Sequence, residues 1–98
     1  MFEVSQIQAG QVELIGRLDA AQAARAETLF ERLIGAEVLN LSALEYISSA
    51  GLGLLLKLHK QKMALGEGLR LVEVSPHIAD ILHYSGFDKL FDVLPASK

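Results

Sequence analysis

Glu37-Val38-Leu39-Asn40-Leu41 and, after a short connection, Tyr46-Ile47-Ser48-Ser49-Ala50-Gly51-Leu52-Gly53-Leu54-Leu55-Leu56 form the stretch that decides how this chain folds. The first run is short and mostly apolar, as expected of a strand buried between neighbours. The second places two hydroxyls at the end of a loop and then opens a leucine-rich helix, expected from about Ser49 to Leu65, where Gly66-Glu67-Gly68 breaks it. A strand leading directly into a helix is the repeating unit of an α/β domain.

Working outward, Leu69 to Val74 alternates and predicts another strand. Ser75-Pro76 is a helix start, with Ser75 as cap and Pro76 at the first helical position, and Ile78, Ile81 and Leu82 make one apolar stripe that ends at Gly86. Asp88 to Leu94 predicts a helical turn running into an edge strand. On the N-terminal side, Ala20 to Ile34 predicts one helix, with Asp19 as its cap and Gly35 as its stop. Phe2, Val4 and Ile7 before Ala9-Gly10, and Val12, Leu14 and Leu18 after it, predict an opening hairpin. The fold class is therefore α/β: a mixed sheet of four to five strands that starts with a β-hairpin and carries packed helices, in a single domain, 1–98.

Composition narrows the function. With 98 residues, 51% hydrophobic and 21% charged, the chain has ordinary globular usage. Cysteine is absent, which excludes disulfides and thiolate chemistry. A net charge of −3 has the wrong sign for tracking a phosphate backbone, so no nucleic acid is expected. The acidic N-terminus lacks the pattern of a signal peptide, and the longest uncharged apolar run, Tyr46 to Leu56, is too short to span a bilayer. No membrane insertion and a cytoplasmic location are expected. His59, His77 and His83 share no ligand spacing, so no metal and no cofactor are expected. Asp19, Glu45, Asp80, Asp88 and Asp92 are too dispersed for an acid/base pair, and Asp19 and Asp88 read as helix caps.

Three chemical motifs fail against the central stretch. Gly51 and Gly53 begin a dinucleotide fingerprint, but Leu56 stands where its third glycine belongs. No Gly-Lys pair exists for a phosphate loop, and Ile47 occupies the first glycine position of a hydrolase elbow around Ser49. No enzyme is expected. Ser48 and Ser49 can cap the helix, worth on the order of 1 kcal/mol. The same free amides and helix dipole favour negative charge, so a phosphate can sit there as well. Helical glycines cost roughly 1 kcal/mol each relative to alanine. Gly51 and Gly53 thus point to close approach, either by the chain's own sheet or by a partner. The leucines that follow surround more than one face, which leaves apolar surface for docking. Lys57, His59, Lys60 and Lys62 read as the helix's solvated face.

Asn40-Leu41-Ser42 together with Tyr46-Ile47-Ser48-Ser49-Ala50-Gly51-Leu52-Gly53 resembles the STAS domain, the family of anti-sigma-factor antagonists. Gly16-Arg17-Leu18-Asp19 and the run from Val74-Ser75-Pro76 to Tyr84-Ser85-Gly86-Phe87 extend the likeness over nearly the whole chain. The resemblance implies a small regulator that binds a serine-kinase anti-sigma factor, is switched off by phosphorylation, and is reactivated by a protein phosphatase. In the family's D-S-[ST]-G-[LI]-G pattern the acceptor falls on Ser49, with Ser48 as the alternative. Ser48 stands where the family usually has aspartate, Ala50 replaces a hydroxyl, and Asn40 replaces another aspartate. The implied partner surface comprises Asn40, Ser42, Ser48, Ser49, Ala50, Gly51, Leu52, Gly53 and Leu55. Two other readings stay open: a phosphorylation-independent subunit docking on a complex such as a transporter ATPase, and a sensor that binds a small anion or nucleotide at the helix start.

Overall fold

The computed structural model describes residues 1–96; residues 97 and 98, the end of the expected single domain, lie outside the described residues. Strands β1 (Phe2–Gln8) and β2 (Gln11–Leu18) pair antiparallel across the Ala9-Gly10 turn. Gly10 sits there at φ +77°, a left-handed conformation that suits glycine. Then follow α1 (Ala23–Phe30), β3 (Val38–Ile47), α2 (Ser49–Ala64), β4 (Arg70–Val74), α3 (Pro76–Tyr84) and β5 (Asp92–Pro95).

Strands β2 to β5 run parallel in the order β1-β2-β3-β4-β5. Each crossover advances the chain by one strand in the same direction, and crossovers are right-handed, so the three helices share one face of the sheet. The core agrees. Phe2, Leu14, Leu18, Leu39, Leu41 and Leu71 of the sheet form one buried cluster with Ala26 and Phe30 of α1, Leu55 and Leu58 of α2, and Ile78 and Leu82 of α3. The mixed five-stranded sheet with an opening hairpin is thus as expected.

Three local expectations are corrected. The helix expected over Ala20 to Ile34 is α-helical only from Ala23 to Phe30, with single 3-10 turns at Ala20–Gln22 and Glu31–Leu33. Asp19 does not cap it. One carboxylate oxygen, Oδ1, is buried without a hydrogen bond, and Oδ2 lies 3.5 Å from Arg17 Nε. The first turn tightens instead, and the Gln22 amide donates to the Asp19 carbonyl at 3.0 Å. Asp88 does not cap either: its carboxylate meets His83 Nδ1 at 2.7 Å. At the other helix start the expectation holds, with Ser75 Oγ accepting from the Ile78 amide at 3.3 Å and Pro76 opening α3.

Strand β3 is the third correction, because it continues six residues past Leu41. Its pairing with β2 shifts register between Glu13 and Ile15 and again between Gly16 and Arg17. Each irregularity inserts an extra residue on β3, which moves the buried positions to Leu39, Leu41, Leu44 and Ile47. In the first bulge Asn40 Oδ1 accepts the Ser42 amide at 2.8 Å, so the side chain serves an N–H that has left the ladder.

Candidate functional site

β3 ends at Ile47, and the chain enters α2 after a single connecting residue. Ser48 holds that corner. Its amide donates to the Leu18 carbonyl at 2.9 Å, its carbonyl accepts from Leu52 at 2.9 Å, and its Oγ accepts from Gly51 at 3.3 Å. Extended at φ −94°, Ser48 is the helix cap. Ser49, the first residue of α2, is exposed. Its hydroxyl makes no hydrogen bond among the described residues, and no acidic side chain lies in the helix's first turn. One of the two serines is thus committed to structure, and the other presents a hydroxyl to solvent at a positively polarised helix end.

The glycines divide in the same way. A Cβ on Gly51 would lie 2.7 Å from Leu18 Cγ, 2.8 Å from Ile47 Cγ1 and 2.8 Å from the Leu18 carbonyl. This glycine lets α2 start directly against its own sheet. Gly53 is exposed, and a Cβ there would meet nothing within 4 Å. Its own fold does not require it to be glycine.

The remaining residues of the expected surface separate by position. Ala50 and Leu52 are half-buried beside Ser49, while Gly51 and Leu55 are fully buried and support the surface from below. Asn40 and Ser42 are elsewhere. Asn40 pairs with Glu13 and Ile47 with Leu18, a separation of five steps along β2, or roughly 17 Å. Ser42 Oγ donates to Glu13 Oε2 at 3.4 Å on the sheet face that carries no helices.

The reading of Lys57, His59, Lys60 and Lys62 as one solvated strip needs correction. Lys62 is 1% exposed; its Nζ donates to the Ile34 carbonyl at 3.0 Å and the Ala36 carbonyl at 2.6 Å and lies 3.7 Å from Glu67. His59 packs edge-on against Phe91 at 5.0 Å between centroids. Of these four, only Lys57 and Lys60 are exposed, and Lys57 pairs with Glu27 at 3.3 Å.

Two features near the serines escaped the sequence. The Arg17 guanidinium lies 4.7 Å over the Tyr46 ring, and beside it is Asp19, with its unpartnered Oδ1. Arg17 and Tyr46 are directly opposed across β2 and β3, a pairing that only the register discloses. At the other end of the sheet, where β3, β4 and β5 begin, Glu37, His59, Glu67, Arg70 and Asp92 line a hollow of about 550 Å³. Ligands of open parallel sheets bind at the carboxyl ends of the strands, where Ser48 and Ser49 lie and this hollow does not. Among the described residues no three His, Cys, Asp or Glu side chains gather to hold a metal, and no helix is long and apolar enough to cross a membrane.

The chain is thus a two-layer α/β domain with a mixed sheet and a serine pair at the start of its second helix. The STAS domain family model matches residues 4–98, and the chain belongs to that family. Over 56 residues it is 43% identical to BtrV of Bordetella bronchiseptica, named "Putative anti-sigma factor antagonist". That match covers 57% of this chain and 48% of the relative, about half its length. An anti-sigma factor antagonist from Mycobacterium paratuberculosis superimposes with a TM-score of 0.77 at 26% identity, over 97% of this chain and 85% of that one. The anti-sigma factor antagonist SpoIIAA in its unphosphorylated form superimposes with a TM-score of 0.74 at 18% identity, over 100% of this chain and 90% of that one. This chain is a STAS domain, similar in sequence and fold to anti-sigma factor antagonists.

Proposed function

We propose that this protein binds a serine-kinase anti-sigma factor through the corner around Ser48 and Ser49, and that phosphorylation of Ser49 releases it. The carrying observation is the contrast between the two hydroxyls: Ser48 is engaged as a cap, whereas Ser49 is exposed and unbonded at the helix start. The contact surface is Ser48, Ser49, Ala50, Leu52 and Gly53, with Gly51 and Leu55 beneath it. SpoIIAA, which shares the fold, has been solved in both unphosphorylated and phosphorylated forms.

A phosphate adds roughly −1.5 to −2 charges at neutral pH. At Ser49 the free amides of the first turn tolerate it, because each is an N–H without a helical acceptor. A partner pressed against the half-buried Leu52 and the bare Gly53 does not, since that charge would be desolvated in the contact. A protein phosphatase then returns the protein to its binding state. The kinase and ATP test this directly, with the phosphate mapped by mass spectrometry. Label on Ser49 is expected, and label on neither serine ends the proposal. Ser49→Asp is expected to weaken the kinase complex while leaving the melting curve unchanged, and Ser49→Ala to keep the complex formed in the presence of ATP.

A further inference from the structure

Helix α2 buries Gly51, Leu55, Leu58 and Lys62, and its opposite side carries Ser49, Gly53, Leu56, Lys60 and Ala64 at spacings of three and four. This outer side is not a plain charged surface. Gly53, Leu56, Lys57, Lys60, Gln61 and Ala64 line a shallow, open trough along this one helix, low because Gly53 and Ala64 have so little side chain. The lining holds two cations and no carboxylate, on a chain whose net charge is −3. An exposed helical glycine costs roughly 1 kcal/mol relative to alanine, and nothing within the molecule packs on Gly53 in return.

We propose that this trough seats an acidic amphipathic helix of the partner protein, with apolar side chains against Gly53, Leu56 and Ala64 and carboxylates on Lys57 and Lys60. The shape fits a helix: Ser49 to Ala64 is a straight stripe roughly 22 Å long, and small residues let two helix axes approach closely. Charge selects an acidic one. The pair that Lys57 makes with Glu27 is exposed at both ends, and such pairs are worth so little that an incoming carboxylate competes readily. A second copy of this chain is disfavoured, since two such faces would oppose lysine to lysine. The proposal rests on the reading above for the role of Ser49, which begins the same stripe: a phosphate there faces the end of an acidic helix, and like charges weaken the contact.

The test uses the whole chain, labelled with nitrogen-15, and a designed helical peptide of about 16 residues with leucines on one side and glutamates flanking them, beside a twin with lysine for every glutamate. Expected are saturable shifts centred on Gly53, Leu56, Lys57, Lys60 and Ala64, and binding of the lysine twin weaker by about tenfold or more. Lys57→Glu with Lys60→Glu is expected to reverse that preference, and Gly53→Leu to weaken the acidic peptide by about tenfold in a protein that melts normally. No saturable shifts, shifts centred on the His59 and Arg70 hollow, or equal affinity for both peptides would overturn the proposal. So would lysine-dependent binding to phosphatidylglycerol vesicles without peptide binding. Because no kinase is present, a negative result leaves Ser49 phosphorylation standing, whereas peptide binding unchanged by Ser49→Asp removes only the coupling between trough and serine.

Discussion

The two sides of α2 obey different rules although they belong to one helix. On the inner side Gly51, Leu55, Leu58 and Lys62 are held by the molecule itself: Gly51 by contact with Leu18 and Ile47, Lys62 by two backbone carbonyls. On the outer side Ser49, Gly53, Lys60 and Ala64 are exposed and touch little. A residue type that costs stability inside is explained by packing, and the same type outside is explained only by something beyond the chain. Gly51 and Gly53, two positions apart, show this most directly.

The contrast can be broken most forcefully at Lys62. Lys62→Ala removes the buried stem and leaves the Ile34 and Ala36 carbonyls unpaired, an expected loss of about 4 kcal/mol in urea unfolding. Lys62→Met keeps most of the stem and is expected to lose about 2 kcal/mol; equal losses for the two would show that packing of the stem adds nothing beyond the carbonyl bonds. Gly51→Ala is expected to cost about 2 kcal/mol, since its Cβ meets backbone as well as side chain and the helix start has to move. Thermal melting that shows Gly51→Ala as stable as the parent would refute the close approach. Ser48→Ala is expected to cost about 1 kcal/mol by loss of the cap on Gly51, with Ser49→Ala near zero. The smallest effect has the opposite sign: Gly53→Ala is expected to stabilise by about 0.8 kcal/mol, and a destabilising value would place Gly53 on the inner side of the comparison.

Much of the architecture was legible because it rests on local signals. Ala9-Gly10 needs no long-range information to turn, and Ser75-Pro76 caps α3 with its own side chain. Where the sequence misled, a distant contact had intervened. β3 looked as if it ended at Leu41 because two bulges replace alternation with a spacing of three from Leu41 to Leu44 to Ile47. Asp19 looked like a cap, yet the chain enters a 3-10 turn there and its carboxylate turns toward Arg17. Lys62 sat in a run of basic residues and looked solvated, but the loop at Ile34 and Ala36 folds over its ammonium. Among the candidate site residues, Ser48 to Gly53 were legible as a unit because they are contiguous. Asn40 and Ser42 were not separable from them, since their distance depends on the register of β3 against β2.

The sequence by itself determined which segments turn, cap and alternate, and that a hydroxyl pair opens the second helix, because those properties arise from residues within hydrogen-bonding reach along the chain. Only the tertiary structure decided which serine is free, which glycine is pressed against the sheet and which lysine is buried. Each of those depends on what Leu18, Ile47 and the Ile34 to Ala36 loop bring against α2, and burial is a property of neighbours distant in sequence.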